Sequence, residues 1–157
     1  MVIFRQCFDT TSSTYTYILG CEETREALLI DPVKEKAERD SNLLKELKLN
    51  PIYEIETHVH ADHITGGSEL RKTFPELKQV LSSDSGVTFK DHLKLVEDGE
   101  KLKFGKYELV IVKTPGHTNG CMSLIFKDEM VFTGDALFIR GCGRTDFQQV
   151  SLFHFYL

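Results

Sequence analysis

The sequence predicts a mixed α/β protein in which helices pack on a layered sheet, much of it built from hairpins. Three observations predict this class. Short apolar or β-branched runs recur along the whole chain, two stretches carry apolar residues near helical spacing, and the residues after 100 have the texture of hairpin strands. The 157 residues suit one domain, and the composition, 41% hydrophobic and 27% charged, is that of a globular protein.

The first half of the chain is predicted to combine strands with two helices. Apolar runs predict five strands in this half, at 3–8, 14–19, 27–30, 52–57 and 78–82. Apolar residues near helical spacing predict helices over 36–48 and 68–74. The first helix is expected to close before Pro51, because a residue that precedes proline is pushed out of the α region.

The second half of the chain is predicted to consist mainly of strands. Four runs carry the strand pattern, at 101–104, 107–112, 122–126 and 130–133. Short polar turns at 105–106 and 127–129 separate neighbouring runs and predict hairpins. No internal repeat or linker divides the chain, so a single domain over 1–157 is expected.

Charge and composition argue against several classes of function. The chain has 19 basic and 24 acidic residues, a net charge of −5 without strong clustering of either sign, which argues against nucleic-acid binding. No run of eighteen apolar residues is present, so a membrane span is not expected. The four cysteines are widely spaced without a Cys-x-x-Cys pair, which predicts reduced thiols. No signal or transit sequence is visible, so a cytoplasmic location is expected.

The segment THVHADH at 57–63 carries the strongest chemical signal. Three imidazoles and one carboxylate fall within six residues, directly after a predicted strand and before a predicted helix. In an extended backbone, His58, His60 and Asp62 share a face, and His63 at the following turn can reach the same point. These are the ligand types that suit zinc or iron, so the segment predicts a metal site in preference to a chance polar loop.

Two further segments place ligand-type side chains at the ends of predicted strands. His117 follows the strand at 107–112 in the sequence TPGHT, and Asp135 follows the strand at 130–133 in the sequence TGD. Metal ligands are commonly held on such loops, because a rigid sheet fixes their separation. Taken alone, each residue is more simply interpreted as a loop or turn residue. Taken with the first segment, they complete a set of metal ligands.

These motifs resemble those of the metallo-β-lactamase fold superfamily, which implies an αββα sandwich. Within that superfamily, the run IRGCGRTDFQQ at 139–149 resembles the persulfide dioxygenases of the ethylmalonic-encephalopathy protein-like family. This run is a far narrower marker than the histidine motif, which many hydrolases share. The resemblance covers about residues 3–149.

The resemblance implies an enzyme with one Fe(II) per chain, held by His58, His117 and Asp135, with Zn(II) as the alternative. Two histidines and one carboxylate leave open positions on the metal, as in non-haem iron oxygenases. The implied reaction is oxidation of glutathione persulfide by O₂ to sulfite and glutathione, a step of sulfide catabolism. Arg144 is implied to bind the glutathione part. Without the resemblance, a structural ion pair with Asp146 is an equal alternative.

The same motif leaves a second function open. In relatives of the glyoxalase II kind, which are thiolester hydrolases, His60 joins the first metal while Asp62 and His63 help to hold a second. In the dioxygenase family these three residues are implied to orient the ligands or bound waters. The motif is identical in both groups. A zinc hydrolase, in which a metal-bound water is the nucleophile, therefore stays the alternative.

The resemblance ends after Gln149. Residues 150–157 form a divergent apolar tail, where the relatives continue with further strands, helices and a histidine that closes the second metal position. We therefore expect an incomplete domain with the C-terminal part of the sandwich missing and a sheet edge uncovered. An inactive fragment is a further alternative, and the exposed face offers a surface for a homodimer. Because organellar relatives lose their presequences on import, the mitochondrial matrix is the alternative location.

Overall fold

The computed structural model describes residues 1–88 and 91–146, so the apolar tail at 150–157 lies outside the described residues. Within these ranges, no helix has the length and apolar character needed to cross a bilayer. The two α-helices are α1 (Ala37–Glu46) and α2 (Gly67–Arg71). The strands are β1 (Val2–Asp9), β2 (Thr14–Cys21), β3 (Glu26–Ile30), β4 (Asn50–Ile55), β5 (Lys78–Ser82), β6 (Leu93–Val96), β7 (Lys101–Phe104), β8 (Tyr107–Lys113), β9 (Met122–Phe126) and β10 (Met130–Phe132).

The strands form two sheets. The first has six strands in the order β1-β2-β3-β4-β5-β6, antiparallel from β1 to β3 and parallel from β3 to β6. The second has four antiparallel strands in the order β10-β9-β8-β7. Parallel neighbours need a crossover connection, and α1 and α2 supply it between β3, β4 and β5. The carboxyl ends of β3 and β4 therefore lie at the same edge of the first sheet.

Two hydrophobic cores join three layers. One core lies between the two sheets and includes Leu28 of β3 and Ile111 of β8. The other lies between the first sheet and the helices and includes Leu29 of β3, Leu44 of α1 and Leu70 of α2. Because β3 contributes side chains to both cores, its apolar run is continuous rather than alternating. The predicted α/β class is confirmed, with helices, six-stranded sheet and four-stranded sheet as successive layers of the implied sandwich.

Most predicted elements are present, but three details differ. β4 ends at Ile55 rather than at residue 57, so the extended backbone assumed for the histidine segment is wrong. The sequence pattern does not predict β6, a four-residue strand in which only Val96 is fully buried. Both helices are shorter than the predicted ranges 36–48 and 68–74, although α1 ends before Pro51 as expected.

Candidate metal centre

The candidate site lies where β3 and β4 end beside the loops of the second sheet. Asp31 directly follows β3, and its carboxylate accepts hydrogen bonds from Thr57, at 2.7 Å from the backbone N–H and 2.9 Å from the hydroxyl. These bonds turn the chain out of line with β4, which makes the histidine segment a loop. The Met122 N–H of β9 donates to the Thr57 carbonyl at 2.9 Å. Thr57 therefore connects the two sheets at the site.

Asp31 belongs to the candidate site through its contact with His60, although none of the sequence motifs that predict metal ligands includes it. Its φ is +49°, a left-handed conformation that a non-glycine residue adopts at a cost, and its side chain is buried. Burial acts to raise the pKa of this carboxyl, but the His60 charge and the hydrogen bonds from His60 and Thr57 outweigh it and lower the pKa. The signal in the sequence is a carboxylate placed directly after a fully buried strand.

His58, His117 and Asp135 lie together at the centre of the site. Their ligand atoms all lie within 4.8 Å of one another, although each residue comes from a different loop. The rings of His58 and His117 are 4.9 Å apart and nearly perpendicular, and His117 Nε2 lies 3.5 Å from Asp135 Oδ2. The loops after β4, β8 and β10 therefore bring together the three residues that the resemblance implied as ligands.

Hydrogen bonds orient the two imidazoles of this group towards a cation. The Thr57 hydroxyl donates its proton to Asp31, so it accepts from His58 Nδ1–H at 3.0 Å. The Arg144 carbonyl can only accept, so His117 Nδ1–H donates to it at 2.9 Å. Both rings then present the Nε2 lone pair, the arrangement found in metal-bound histidines whose other nitrogen is held by the protein. The donor chemistry of the group thus fits a divalent ion.

Burial also tunes the charge of this group. Burial and the charge on His60 lower the pKa of His58 to about 3, although Asp31 opposes the shift. His58 is therefore neutral near pH 7, and its lone pair is available to a metal. Burial raises the pKa of Asp135, because a desolvated carboxylate is disfavoured, while the nearby histidine charges act in the opposite direction.

His60, Asp62 and His63 form a second group beside the first. Their ligand atoms also lie within 4.8 Å of one another, and the rings of His60 and His63 are 4.3 Å apart. His63 Nε2 is buried and has no hydrogen-bond partner among the residues that the structure describes. The histidine segment therefore supplies one ligand to the first group and three to the second.

The Nε2 atom of His60 points towards two buried carboxylates. This atom lies 3.2 Å from Asp31 Oδ1 and 3.4 Å from Glu56 Oε2. Burial lowers the pKa of His60, but the two carboxylates overcome that effect and raise it to about 11. Its Nε2–H therefore points into the protein, and Nδ1 is the atom left to face the site.

A buried acidic pair lies behind His60, between β4 and α2. Glu56 accepts a hydrogen bond from Thr65 Oγ1, and Glu54 Oε1 lies 3.3 Å from Arg71 Nη1 of α2. Burial and the neighbouring Glu56 carboxylate raise the pKa of Glu54 well above its usual value, although Arg71 opposes the shift. The sequence reasoning missed both glutamates, because alternation within a short strand does not show that both faces are buried.

A pocket of about 590 Å³ opens directly onto the site. The β1–β2 hairpin forms one wall, and the segment from Val131 to Ile139 forms the other. The Tyr17 and Phe132 rings, one from each sheet, pack with centroids 4.8 Å apart and line the pocket. The lining also includes Asp31, His60, Asp62 and Asp135. The pocket therefore gives a ligand access to both groups of candidate metal ligands.

The Arg144 side chain lies outside the lining of this pocket. Its guanidinium forms a two-point ion pair with Asp146, at 2.8 Å through Nε and 3.0 Å through Nη2. Its backbone carbonyl, by contrast, contacts the His117 ring. The structure therefore brings the backbone of Arg144, and not its guanidinium, to the His117 ring. The ion pair with Asp146, which was the structural alternative, is present.

Comparison of the sequence with known proteins gives a family and two kinds of relative. Residues 9–155 match the family model described as Metallo-beta-lactamase superfamily. The protein named persulfide dioxygenase ETHE1, mitochondrial, from Bos taurus is 52% identical over 149 residues, which are 94% of this chain and 58% of that protein. A hydroxyacylglutathione hydrolase from Haemophilus ducreyi is 32% identical over 128 residues, which are 82% of this chain and 52% of the relative.

A protein named ETHE1 is also among the solved structures that resemble this chain. The crystal structure of ETHE1 from Myxococcus xanthus superposes with a TM-score of 0.90 at 43% identity, covering 98% of this chain and 66% of that one. The chain therefore spans only part of the length of these proteins, 58% in the case of the bovine relative.

Proposed function

The chain belongs to the metallo-β-lactamase superfamily, and from that premise we propose that it is an iron-dependent persulfide dioxygenase acting on glutathione persulfide. The reaction takes one persulfide, one O₂ and one water to glutathione and sulfite, with two protons released on ionisation of the sulfite. The S–S bond breaks, the outer sulfur is oxidised by four electrons, and O₂ is reduced by four. Atoms and electrons therefore balance without a further reductant.

The observation that carries this proposal is the group formed by His58, His117 and Asp135. Two neutral imidazoles and one carboxylate lie within reach of a single ion and leave the rest of its coordination shell open. The 52% identity to a protein named persulfide dioxygenase supports the same choice, since the hydrolase is more distant at 32%. We therefore assign His58, His117 and Asp135 as the iron ligands, one ion per chain.

The other residues of the site would orient the reactants around that ion. Bound iron would supply the redox chemistry with O₂, and the protein would supply orientation and electrostatics. The pocket beside the ligand group gives the sulfur end of a substrate access to the ion. For Arg144 to bind the glutathione part, a substrate carboxylate must replace Asp146 as the partner of its guanidinium. His60 would orient the site through its contacts with Asp31 and Glu56.

We also propose a compartment and an assembly for the chain. The bovine relative carries the word mitochondrial in its name, which favours the mitochondrial matrix over the cytoplasm for this chain. Dimerisation through the open face of the sandwich stays a prediction, and the oligomeric state in solution is the measurement that checks it.

One observation favours a second candidate, a zinc thiolester hydrolase. His60, Asp62 and His63 form their own ligand group, and His63 Nε2 has no partner among the described residues. Two adjacent ligand groups could hold two ions, and a metal-bound water would then act as nucleophile. The number of ions bound per chain distinguishes this candidate from the dioxygenase.

The experiment is a metal measurement on the full chain, purified without oxygen and offered iron and zinc in separate portions. We expect about one iron per chain, oxygen uptake on addition of glutathione persulfide, and sulfite as the product. His58→Gln should abolish both metal binding and oxygen uptake. His92→Gln is the matched control, because His92 is exposed and remote in sequence from the ligand loops.

The other outcomes each select a different function. Two zinc ions per chain with hydrolysis of a glutathione thiolester would replace the dioxygenase by the hydrolase. A chain that binds neither metal in stoichiometric amount would be an inactive fragment, and the proposal would be wrong. Iron bound equally by the wild type and the His58→Gln variant would place the ion elsewhere.

A further inference from the structure

The segment that follows Asp135 returns to the ligand group by a tight reversal. Phe138 and Gly141 pair with each other, with the Phe138 N–H donating to the Gly141 carbonyl at 2.8 Å. Arg140 lies in this reversal with φ of +66°. The chain then runs back past the two ligands that the second sheet supplies, His117 and Asp135.

Two backbone hydrogen bonds join the returning chain to those ligands. The Gly143 N–H donates to the Asp135 carbonyl at 2.7 Å. The next residue, Arg144, accepts the His117 Nδ1–H with its carbonyl at 2.9 Å. Adjacent residues of one short segment therefore contact the backbone of one ligand and the ring of the other.

Only glycine fits between the two ligands. A Cβ built on Gly143 would lie 2.5 Å from the Asp135 carbonyl oxygen and 3.0 Å from both Cγ and Nδ1 of the His117 ring. Real Cβ atoms essentially never come that close to a backbone oxygen, so the segment would have to move outwards. By contrast, a Cβ built on Gly141 meets nothing within 4 Å. Two glycines two residues apart thus differ in their surroundings.

We propose that Gly143 and Arg144 form a backbone clasp that positions His117 and Asp135 for metal binding. Gly143 is a positioning residue, because its missing side chain lets the Arg144 carbonyl reach His117 Nδ1. The carbonyl then fixes the ring orientation and keeps the lone pair on Nε2. This inference rests on the proposed metal site. The clasp gives Gly143 and Arg144, within the run at 139–149, a role that does not depend on the Arg144 side chain.

The test compares Gly143→Ala with Gly141→Ala in the full chain. Co(II) is titrated into each protein, its affinity is measured by competition with a chelator, and its visible spectrum reports the ligand geometry. We expect Gly143→Ala to weaken Co(II) binding by about 10- to 100-fold, the usual effect of losing a partner of a ligating histidine, and to shift the ligand-field bands. Gly141→Ala should leave the affinity within about twofold, because its side chain enters open space.

A second measurement does not depend on how well the alanine variant folds. In the zinc-loaded wild type, ¹⁵N NMR of the histidine rings should show His117 protonated at Nδ1, with the signal identified by its loss in His117→Gln. Protonation at Nε2 instead, or a Gly143→Ala variant that binds Co(II) like the wild type, would overturn the clasp alone. A wild type that binds no metal would overturn the clasp and the proposed function together.

Discussion

Thr57 illustrates how one hydroxyl group can set the chemistry of a ligand. It has a single proton, which it gives to Asp31, so its lone pairs are left to accept from His58. The buried ring of His58 is then held as the neutral form with Nε2 free. At low pH this arrangement destabilises the folded chain. The buried ring of His58, with a pKa of about 3, does not bind the proton that the unfolded chain takes up.

Stability of the metal-free chain should therefore fall as the pH is lowered from about 6 towards 5, since the unfolded chain takes up histidine protons near the ordinary pKa of about 6.5. The unfolded state binds a proton that folded His58 does not bind, so the free energy of unfolding falls by up to about 1.4 kcal/mol per pH unit. His60 opposes this slope near pH 6.5, where the folded ring with its pKa raised to about 11 binds a proton more fully than the unfolded one, and it adds little below about pH 6, where both states are protonated. Urea unfolding at several pH values, with a chelator present, measures the slope.

The comparison variant for this slope is His58→Gln, which removes the titrating ring. Its stability should change less between pH 6 and 5 than that of the wild type. His92→Gln should keep the wild-type slope, because His92 is exposed. Identical slopes in all three proteins would show that His58 titrates normally in the folded chain.

The sequence predicts the candidate ligands better than the residues that hold them in place. His58, His117 and Asp135 belong to short motifs at strand ends, so their residue types and spacing alone point to a metal. Asp31 and Glu56 act through contacts with His60, a residue 29 positions away from Asp31. The contact with Asp31 depends on how β3 and β4 are paired, and no local pattern encodes that pairing. Their buried environment is visible only in the folded chain.

At the scale of elements, the end of β4 at Ile55 fixes where the loop that carries the histidines begins. The Glu56 N–H still donates to the Val80 carbonyl of β5 at 3.0 Å, whereas the next N–H is taken by the Asp31 carboxylate. The strand pattern continues to residue 57 in the sequence, so the competing side chain cannot be inferred from it. β6 is missed for another reason, since a short edge strand needs only one buried face.

The packing of β4 against α2 allows a test of the buried acidic pair. Burial and the Glu56 carboxylate raise the pKa of Glu54 well above its usual value, so the fold favours the neutral form of Glu54. Glu54→Gln keeps the shape and a donor, and should change the free energy of unfolding by less than about 1 kcal/mol. Glu56→Gln removes a carboxylate beside His60 and should cost about 3 kcal/mol or more.

Chemical denaturation of both variants at pH 7 gives the two free energies. Glu56→Gln should lose more free energy of unfolding than Glu54→Gln. A loss of more than about 2 kcal/mol in Glu54→Gln would mean that Glu54 is ionised and that its contact with Arg71 is a true ion pair.

At the scale of the whole molecule, the ligand set spans both sheets. His58 comes from a loop of the six-stranded sheet, whereas His117 and Asp135 come from loops of the four-stranded sheet. An ion bound by all three connects the layers, and it binds the folded chain in preference to the unfolded one. The ion therefore adds to the hydrophobic core that already joins the two sheets.

Metal loading should therefore raise the melting temperature. At a free metal concentration about 100 times the Kd, binding adds about 2.7 kcal/mol, which corresponds to about 5 to 10 °C for a chain of this size. Differential scanning fluorimetry with and without a chelator measures the shift. His117→Ala should lose it and His92→Ala should keep it. A chain that binds one ion without any shift would bind it equally well when unfolded.

The hydrogen bond from Met122 to Thr57 has a consequence for metal selection. Because protein atoms already fix the sheets and both histidine rings, the site is built before any ion arrives, and an ion can be exchanged without unfolding. A ready-made site of nitrogen and oxygen donors binds Zn²⁺ more tightly than Fe²⁺ in the general order of divalent metals. The ion found in a given preparation will then report the metals to which the protein has been exposed, with Zn²⁺ favoured over Fe²⁺. Anaerobic reloading with iron is the way to observe the chemistry of the site itself.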